Sequence, residues 1–225
     1  MKPVFTDELV RRTTIEQEIM NDPERLLAYI AVTSLAVLAQ AKESRVHYRD
    51  FVVSAVAPVY DKENNPKILA ASNYRPRNNS APNRDIRVCA EQALIDNSVH
   101  EDDLTIGALF VRGPKPDPNK LIEGCREGMR SLHLCRPCRG RVLETFDPEL
   151  SIVTFIDEDP EPSEAMTLGQ MLGYHDVMTD YPELPAGKSA RDVALEVLSN
   201  TTSRKNIKKP RVQKRRMRPE DRDPQ

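Results

Sequence analysis

Two stretches of this sequence combine residue types that bind metal ions and move protons. Cys89 and Glu91 lie in VCAEQALI, and Cys135 and Cys138 form the pair in CRPC. A CxxC pair alone fits a redox motif, half of a structural zinc site, half of a catalytic zinc site, or coincidence. Three thiolates would fill three of the four tetrahedral positions of zinc and leave the fourth to water. Glu91 would then take a proton from that water and deliver it to a substrate nitrogen.

Helix N-termini would favour such a site. We expect one helix to begin near Cys89 and another near the CRPC pair, so that the positive ends of both helix dipoles lower the thiolate pKa values. Arg139 is predicted to offset the remaining negative charge by hydrogen bonding to a sulfur. Pro137 fits a first helical turn, because the N–H that it lacks would have no intrahelical partner there.

The elements that must position these residues alternate between strands and helices. Apolar patterns and turn signals predict a long buried helix in 21–44, a β-hairpin in 49–74 with its turn in DKENNPK, strands in 104–113 and 151–157, and short helices in 121–134, 167–174 and 189–200. Ser189 and Asp192 are spaced as a capping box for the last helix. We therefore predict an α/β fold, a three-layer αβα sandwich around a mixed sheet of about five strands.

The bulk composition of the 225-residue chain is that of an ordinary globular protein. Hydrophobic residues make up 39%, charged residues 30%, and the formal net charge is −2, so the overall balance does not indicate a nucleic-acid or membrane partner. No apolar signal region and no run of about 18 apolar residues is found, which predicts a soluble, cytoplasmic protein. Its four cysteines then favour metal binding over disulfides.

Changes in composition suggest where the chain divides. We predict an N-terminal extension in 1–20, a zinc domain in 21–176, a C-terminal helical extension in 177–200 and a basic, disordered tail in 201–225. The tail admits two interpretations, a contact with nucleic acid or a solubilising extension. The first would also be compatible with a nuclear location.

The cysteine stretches together resemble the zinc signature of the cytidine deaminase superfamily. VCAEQALI followed by CRPCRGRVLETF is similar to the pattern [HC]-A-E followed by P-C-x-x-C. A cysteine as first ligand is typical of the branch of small tetrameric cytidine deaminases and blasticidin S deaminases. HYRDFVVSAV is similar to that branch's Y-S-x-F-x-V-G-A-A segment, and SIVTFIDEDPEPSEAMTLGQMLGYH to its late strand, acidic turn and helix. The resemblance extends from about Leu26 to His175.

The resemblance implies a fold, a cofactor and roles for particular residues. It makes Zn²⁺ the cofactor, a small nucleoside or nucleotide the substrate, and a homo-oligomer, dimer or tetramer, the assembly. The zinc ligands would be Cys89, Cys135 and Cys138, and the proton shuttle Glu91. Substrate contacts would come from Phe51 beside the pyrimidine, from Asn73 at the ribose, and from Ala90.

Three departures from the branch concern substrate identity. Arg75 stands where the branch typically has a glutamate that contacts the ribose, and its guanidinium suits a phosphate, although a solvated loop arginine is the alternative. Leu134 replaces the usual proline before the CRPC pair, and the connection in 112–134 is longer than in the branch. Cys125 would be the fourth ligand if the zinc site were structural, and Phe51 would equally fit a core position.

The histidines carry no metal assignment. We expect His133 to be hydrogen-bonded or solvent-facing, although it is near Cys135, and we predict no constellation around His47, His100 or His175. The leading functional hypothesis is zinc-dependent hydrolytic deamination of an aminopyrimidine in a nucleoside, a nucleotide or a nucleoside analogue. The alternatives are a deaminase acting on cytosine or adenine in DNA or RNA, and a non-catalytic zinc-stabilised interaction module.

Overall fold

The computed structural model describes residues 10–43, 51–61, 63–74, 88–99, 105–106, 108–115 and 132–202. Its strands are β1 (Val10–Thr14), β2 (Ser54–Tyr60), β3 (Pro66–Ser72), β4 (Thr105–Ile106), β5 (Ala108–Gly113), β6 (Ser151–Ile156) and β7 (Glu164–Thr167). Its α-helices are α1 (Gln17–Met20), α2 (Pro23–Glu43), α3 (Ala90–Val99), α4 (Arg136–Thr145), α5 (Leu168–Leu172) and α6 (Ala190–Thr202). A π-helical turn, Gly173–Val177, continues directly from α5 and is called the π-turn below.

The strands form one mixed sheet. Their order is β1-β3-β2-β5-β6-β7, with β4 paired to β2 outside this path. β5 and β6 run parallel, whereas the other paired strands run antiparallel. The expected number of strands, about five, is too low: seven strands occur within the described residues. The missed strands β1 (VRRTT) and β7 (EAMT) are short sheet edges with few apolar residues, so their sequences give little strand signal.

Alternate residues of the central strands face two different helical layers. On β2, Ala55, Ala57 and Val59 belong to the core that α3, α4 and α5 cover. Val56 and Tyr60 belong to the opposite core, to which α2 and α6 contribute. The period of two along a strand thus separates the two cores, and the predicted three-layer αβα sandwich is confirmed.

The long helix α2 begins where the sequence predicts. Asp22 Oδ1 accepts hydrogen bonds from the backbone N–H groups of Glu24 (3.1 Å) and Arg25 (3.2 Å), which satisfies two donors that have no partner inside the helix. By length and hydropathy alone, α2 could cross a membrane. Leu26, Leu27 and Ile30 are instead buried in the core under the sheet, as in the core helix of a globular protein.

The predicted β-hairpin is present, and Asp61 closes its turn. Asp61 Oδ1 accepts from the Asn65 N–H at 2.7 Å, and Oδ2 accepts from Asn65 Nδ2 at 3.1 Å. Lys67 Nζ lies 2.8 Å from Asp61 Oδ2, and this partner, together with the Asn65 amide, lowers the pKa of Asp61 to about 2. Asn64 adopts a left-handed conformation (φ 67°), which asparagine tolerates better than most residues.

Described residues of both predicted extensions pack onto the same sheet and its helices. β1 pairs antiparallel with β3, and Ile15 and Met20 are buried in the core beneath α2. Helix α6 begins with the predicted capping box: Asp192 Oδ2 accepts from the Ser189 N–H (2.8 Å) and Ser189 Oγ accepts from the Asp192 N–H (3.1 Å). The domain boundaries themselves stay predictions, and the basic tail from residue 203 onward lies outside the described residues.

Candidate metal centre

Three cysteine sulfurs meet at one point of the structure. The Sγ atoms of Cys89, Cys135 and Cys138 all lie within 4.8 Å of one another, and those of Cys89 and Cys135 are 3.6 Å apart. All three are free thiols. Tetrahedral zinc with Zn–S bonds of about 2.3 Å places its sulfur ligands about 3.8 Å apart. The donor set and its spacing therefore fit a zinc ion bound by three thiolates.

Two helix N-termini carry these sulfurs, as the sequence predicts. Cys89 directly precedes α3, and its carbonyl accepts from the Ala93 N–H at 2.9 Å. Cys135 is the N-cap of α4, and its carbonyl accepts from the Arg139 N–H at 2.9 Å. Cys138 lies in the first turn of α4. Pro137 lies in the same turn, where the N–H that proline lacks would have no partner inside the helix. The positive ends of both helix dipoles therefore face the sulfurs and favour thiolates.

Hydrogen bonding divides the protons unequally among the three thiols. The pKa of Cys135 falls to about 3, because Cys138 and then Cys89 donate hydrogen bonds to its sulfur, and the positive charge of Arg139 adds to this. The pKa of Cys138 is raised, first by its hydrogen bonds with Cys135 and Cys89 and then by burial. In the metal-free protein the cluster thus favours a single thiolate, and a bound dication would displace the remaining protons.

A buried carboxyl group, that of Glu91, lies beside the cysteine cluster. It lies in the first turn of α3 and is only 6% exposed, and its Oε2 is 4.0 Å from the sulfur of Cys138. Burial, and to a smaller extent the negative charge at Cys135, raise the pKa of Glu91 to about 7. A carboxyl group with this pKa can both accept and release a proton at neutral pH.

Arg139 contacts the backbone that leads to the cysteines. Its side chain is buried (1% exposed), and its Nη1 donates to the Leu134 carbonyl at 2.7 Å. Its Nε and Nη2 form a bidentate pair with the two carboxylate oxygens of Asp176, at 3.0 and 2.8 Å. The predicted hydrogen bond from Arg139 to a sulfur stays a prediction. Asp176, 37 positions further along the chain, had no local signal by which the sequence could identify it.

The expectation that no constellation surrounds His175 is wrong. His133 Nδ1 lies 2.6 Å from His175 Nε2, and His133 Nε2 lies 3.3 Å from Glu164 Oε2. The ring of His133 also stacks on Tyr181 with the centroids 5.9 Å apart. Both histidines are buried. His133 is thus hydrogen-bonded, as predicted, whereas the partners of His175 come from sequence positions that only the fold brings together.

Three of the predicted substrate-binding residues, Phe51, Asn73 and Ala90, belong to the described part of the chain. Ala90, the residue after Cys89, is fully buried, and Phe51 is half-buried against the same core. Asn73 Oδ1 accepts from the Val53 N–H (2.9 Å) and Asn73 Nδ2 donates to the Phe51 carbonyl (2.7 Å), so this amide fixes the backbone on both sides of residue 52. The substrate roles of all three stay predictions.

Tyr74 connects this region to the cysteines. Tyr74 and Val88 exchange backbone hydrogen bonds of 3.0 Å each, which holds the end of β3 beside the residue that precedes Cys89. Arg75 follows Tyr74 but lies outside the described residues, as do Cys125 and residues 116–131 of the long connection. The phosphate contact of Arg75 and the alternative of Cys125 as a fourth ligand therefore stay predictions.

Fold and site together define an α/β three-layer protein with a candidate three-cysteine metal centre and a buried acid beside it. No family model and no curated protein matches the chain. Among solved structures, the chain is similar to the cytidine deaminase from Mycobacterium leprae, with 21% sequence identity over 64% of this chain and 94% of that chain. The TM-score is 0.38.

Proposed function

We propose that this protein is a zinc-dependent hydrolase that removes the amino group of an aminopyrimidine. Water and the aminopyrimidine would yield the corresponding oxo-pyrimidine and ammonia. The observation that carries the proposal is Glu91, a buried carboxyl that lies 4.0 Å from a sulfur of the cysteine cluster. A purely structural zinc site needs no such group, and burying a carboxyl beside thiolates costs stability.

Each residue of the centre has one task in this reaction. Cys89, Cys135 and Cys138 would hold the zinc ion, which supplies Lewis-acid activation of a water molecule when bound. Glu91 would take a proton from that water at a carboxylate oxygen and give it to the substrate nitrogen.

The substrate would lie between the centre and the end of the β-hairpin. Asn73 holds the backbone of Phe51, so the Phe51 ring would form one wall for a pyrimidine, and Asn73 would contact the ribose. Arg75, two residues after Asn73, would bind a phosphate group, because a guanidinium fork matches phosphate oxygens. The proposal thus covers a nucleoside, a nucleotide or a nucleoside analogue as substrate. Assembly as a dimer or tetramer and a cytoplasmic location belong to the same proposal.

An ammonia-release screen tests the proposed function. Purified, zinc-loaded protein is incubated with cytidine, deoxycytidine, their phosphates, blasticidin-like nucleosides and single-stranded oligonucleotides. We expect turnover of at least one small aminopyrimidine and a loss of about 100-fold or more in Glu91→Gln, with zinc content unchanged. Glu149→Gln, at an exposed position in the turn before β6, is the matched control and should keep full activity.

The other functional hypotheses predict different results in the same screen. Ammonia release from oligonucleotides alone, abolished by deleting residues 203–225, would favour a nucleic-acid deaminase. Stoichiometric zinc without any turnover would favour a zinc-stabilised interaction module. Turnover that survives in Glu91→Gln would contradict the proposed role of the carboxylate.

A further inference from the structure

Two consecutive side chains of the π-turn hold the segment that leads into the CRPC pair. This approach segment, residues 132–135, contains His133 and Leu134 immediately before Cys135. His175 contacts His133 directly, and Asp176 contacts the approach segment through Arg139. The π-turn is therefore attached to His133 and Leu134, the two residues that precede the predicted metal ligand Cys135.

The attachment through Arg139 is a continuous chain of charge-assisted hydrogen bonds. Asp176 binds the guanidinium with both carboxylate oxygens, and the guanidinium donates to the Leu134 carbonyl at 2.7 Å. That carbonyl belongs to the peptide group that joins Leu134 to Cys135. The position of this carbonyl fixes the orientation of the peptide group, and therefore the direction in which the side chain of Cys135 points.

Because Arg139 is buried, this series of hydrogen bonds depends on Asp176. The side chain of Arg139 is 1% exposed, whereas that of Asp176 is 36% exposed. A buried guanidinium needs a nearby negative charge, and Asp176 supplies one at two atoms. Without the carboxylate, the guanidinium of Arg139 would be more stable when hydrated. It would turn toward water, and its hydrogen bond to the Leu134 carbonyl would weaken.

The attachment through His175 acts one residue earlier. The 2.6 Å contact between the two imidazole rings is buried, and Glu164 and Tyr181 fix the ring of His133 on its other sides. Nearby, the approach segment lies close to the end of β5: a Cβ atom on Gly113 would be 2.9 Å from Leu132 Cδ1. Leu132 thus lies close to Gly113, and side-chain contacts hold the ring of His133 in place.

The π-turn is itself firmly anchored. Helix α5, from which it continues, begins with a reciprocal capping box between Thr167 and Gln170. The turn ends at Met178, which is left-handed (φ 64°), and the Thr179 N–H donates to the Gly173 carbonyl at 3.1 Å. π-Helical turns are rare, and many occur at functional sites. An anchored turn of this kind can serve as a fixed support for the approach segment.

We propose that the π-turn is a clamp that preorganises Cys135 and Cys138 for zinc, with Asp176 as its principal positioning residue. This inference rests on the proposed zinc centre. Residues that hold metal ligands in place commonly contribute about 10- to 100-fold to metal affinity. The clamp contributes in this way because ligands that are already positioned need less ordering when the ion binds.

The test measures zinc affinity of the full-length, metal-free protein by competition with a chromophoric chelator. We expect Asp176→Asn to bind zinc about 10- to 100-fold more weakly than the wild type, and Asp176→Glu to recover part of the loss. Asp180→Asn, an exposed aspartate four residues later, is the matched control and should bind zinc like the wild type. Thermal unfolding of each metal-free variant identifies any that is not folded at the temperature of the titration.

Cobalt substitution adds a signature that a purely structural role would not change. We expect Co²⁺ in Asp176→Asn to keep charge-transfer absorption of three thiolates, with shifted d–d bands that report an altered ligand geometry. If Asp176→Asn does not fold, His175→Gln takes its place and is expected to weaken zinc binding about 10-fold.

The outcomes separate this inference from the proposed function. Wild-type protein that binds no stoichiometric zinc would overturn both. Stoichiometric zinc in the wild type, with unchanged affinity and cobalt spectrum in Asp176→Asn, would overturn the clamp alone. If His175→Gln is measured instead, a zinc affinity equal to that of the wild type would also overturn the clamp alone.

Discussion

The carboxylate of Glu91 lies 4.0 Å from the sulfur of Cys138, although 47 positions separate the two residues in the sequence. Glu91 belongs to the first turn of α3 and Cys138 to the first turn of α4, so the contact exists only because the two helix N-termini meet. It places a buried carboxyl group beside the cysteine cluster, which is the arrangement that the proposed function requires.

Zinc content distinguishes a three-cysteine centre from a four-cysteine one. We expect Cys138→Ser to lose the zinc ion, because Cys138 is one of the three sulfurs that meet, and Cys125→Ser to keep one zinc per chain. Elemental analysis after dialysis against a weak chelator measures both. Loss of zinc in Cys125→Ser would instead indicate a structural site with four ligands.

Removing the metal should lower stability by mass action. A ligand that binds only the folded state, at a concentration about 1,000 times its dissociation constant, adds about 4 kcal/mol to the free energy of unfolding. We expect the wild type to unfold at a lower temperature with chelator than without it, and Cys89→Ser to unfold at the same temperature in both conditions. A chelator-dependent shift of wild-type size in Cys89→Ser would contradict the assigned ligand set.

Arg112 is predicted to be a major determinant of stability. Its buried guanidinium donates to Ser34 Oγ (2.7 Å) and to the carbonyls of Asp157 (2.6 Å) and Asp159 (2.7 Å), which ties β5 to α2 and to the turn after β6. Arg112→Met removes all of these donors and should cost about 3 kcal/mol in denaturant unfolding.

The control for this prediction is an arginine on the surface. Arg191 pairs with Glu161 (2.8 Å) and with Glu24, but its side chain is 40% exposed, and solvent-exposed ion pairs contribute about 1 kcal/mol or less. Arg191→Met should therefore change the free energy of unfolding far less than Arg112→Met. Equal effects of the two substitutions would show that burial does not decide the contribution of Arg112.

The turn of the β-hairpin should give the folded state a pH dependence. Lys67 and the Asn65 amide lower the pKa of Asp61 from 3.8 to about 2, so the unfolded chain binds the proton more tightly than the folded protein. The contribution of Asp61 to stability is therefore fully present above about pH 4 and is lost as the pH falls toward about 2.

Comparison with Asp61→Asn isolates this contribution. The difference in unfolding free energy between the wild type and Asp61→Asn should be constant between about pH 5 and 7 and should shrink between about pH 4 and 2. A difference that stays the same down to about pH 2 would contradict the role of the Asp61 charge.

Local patterns were sufficient to predict much of the fold and to single out the three cysteines that meet in it. The alternation of apolar residues and the turn in DKENNPK predicted β2 and β3, and the Asp22–Pro23 start predicted α2. The edge strands β1 and β7 were missed because a strand at the edge of a sheet needs few apolar residues of its own. Backbone pairing with β3 and β6 defines these two strands instead.

The sequence by itself determined which residues could hold a metal. Cysteine is recognisable as a ligand by its chemistry, and the positions of Cys89, Cys135 and Cys138 at predicted helix starts follow from local signals. Only the tertiary structure decided what surrounds these ligands: the Glu91 contact with Cys138, the Asp176 pair with Arg139, and the His175 contact with His133. The physical reason is that a side chain's pKa and orientation depend on burial and on neighbours brought near by chain packing, and local sequence specifies neither.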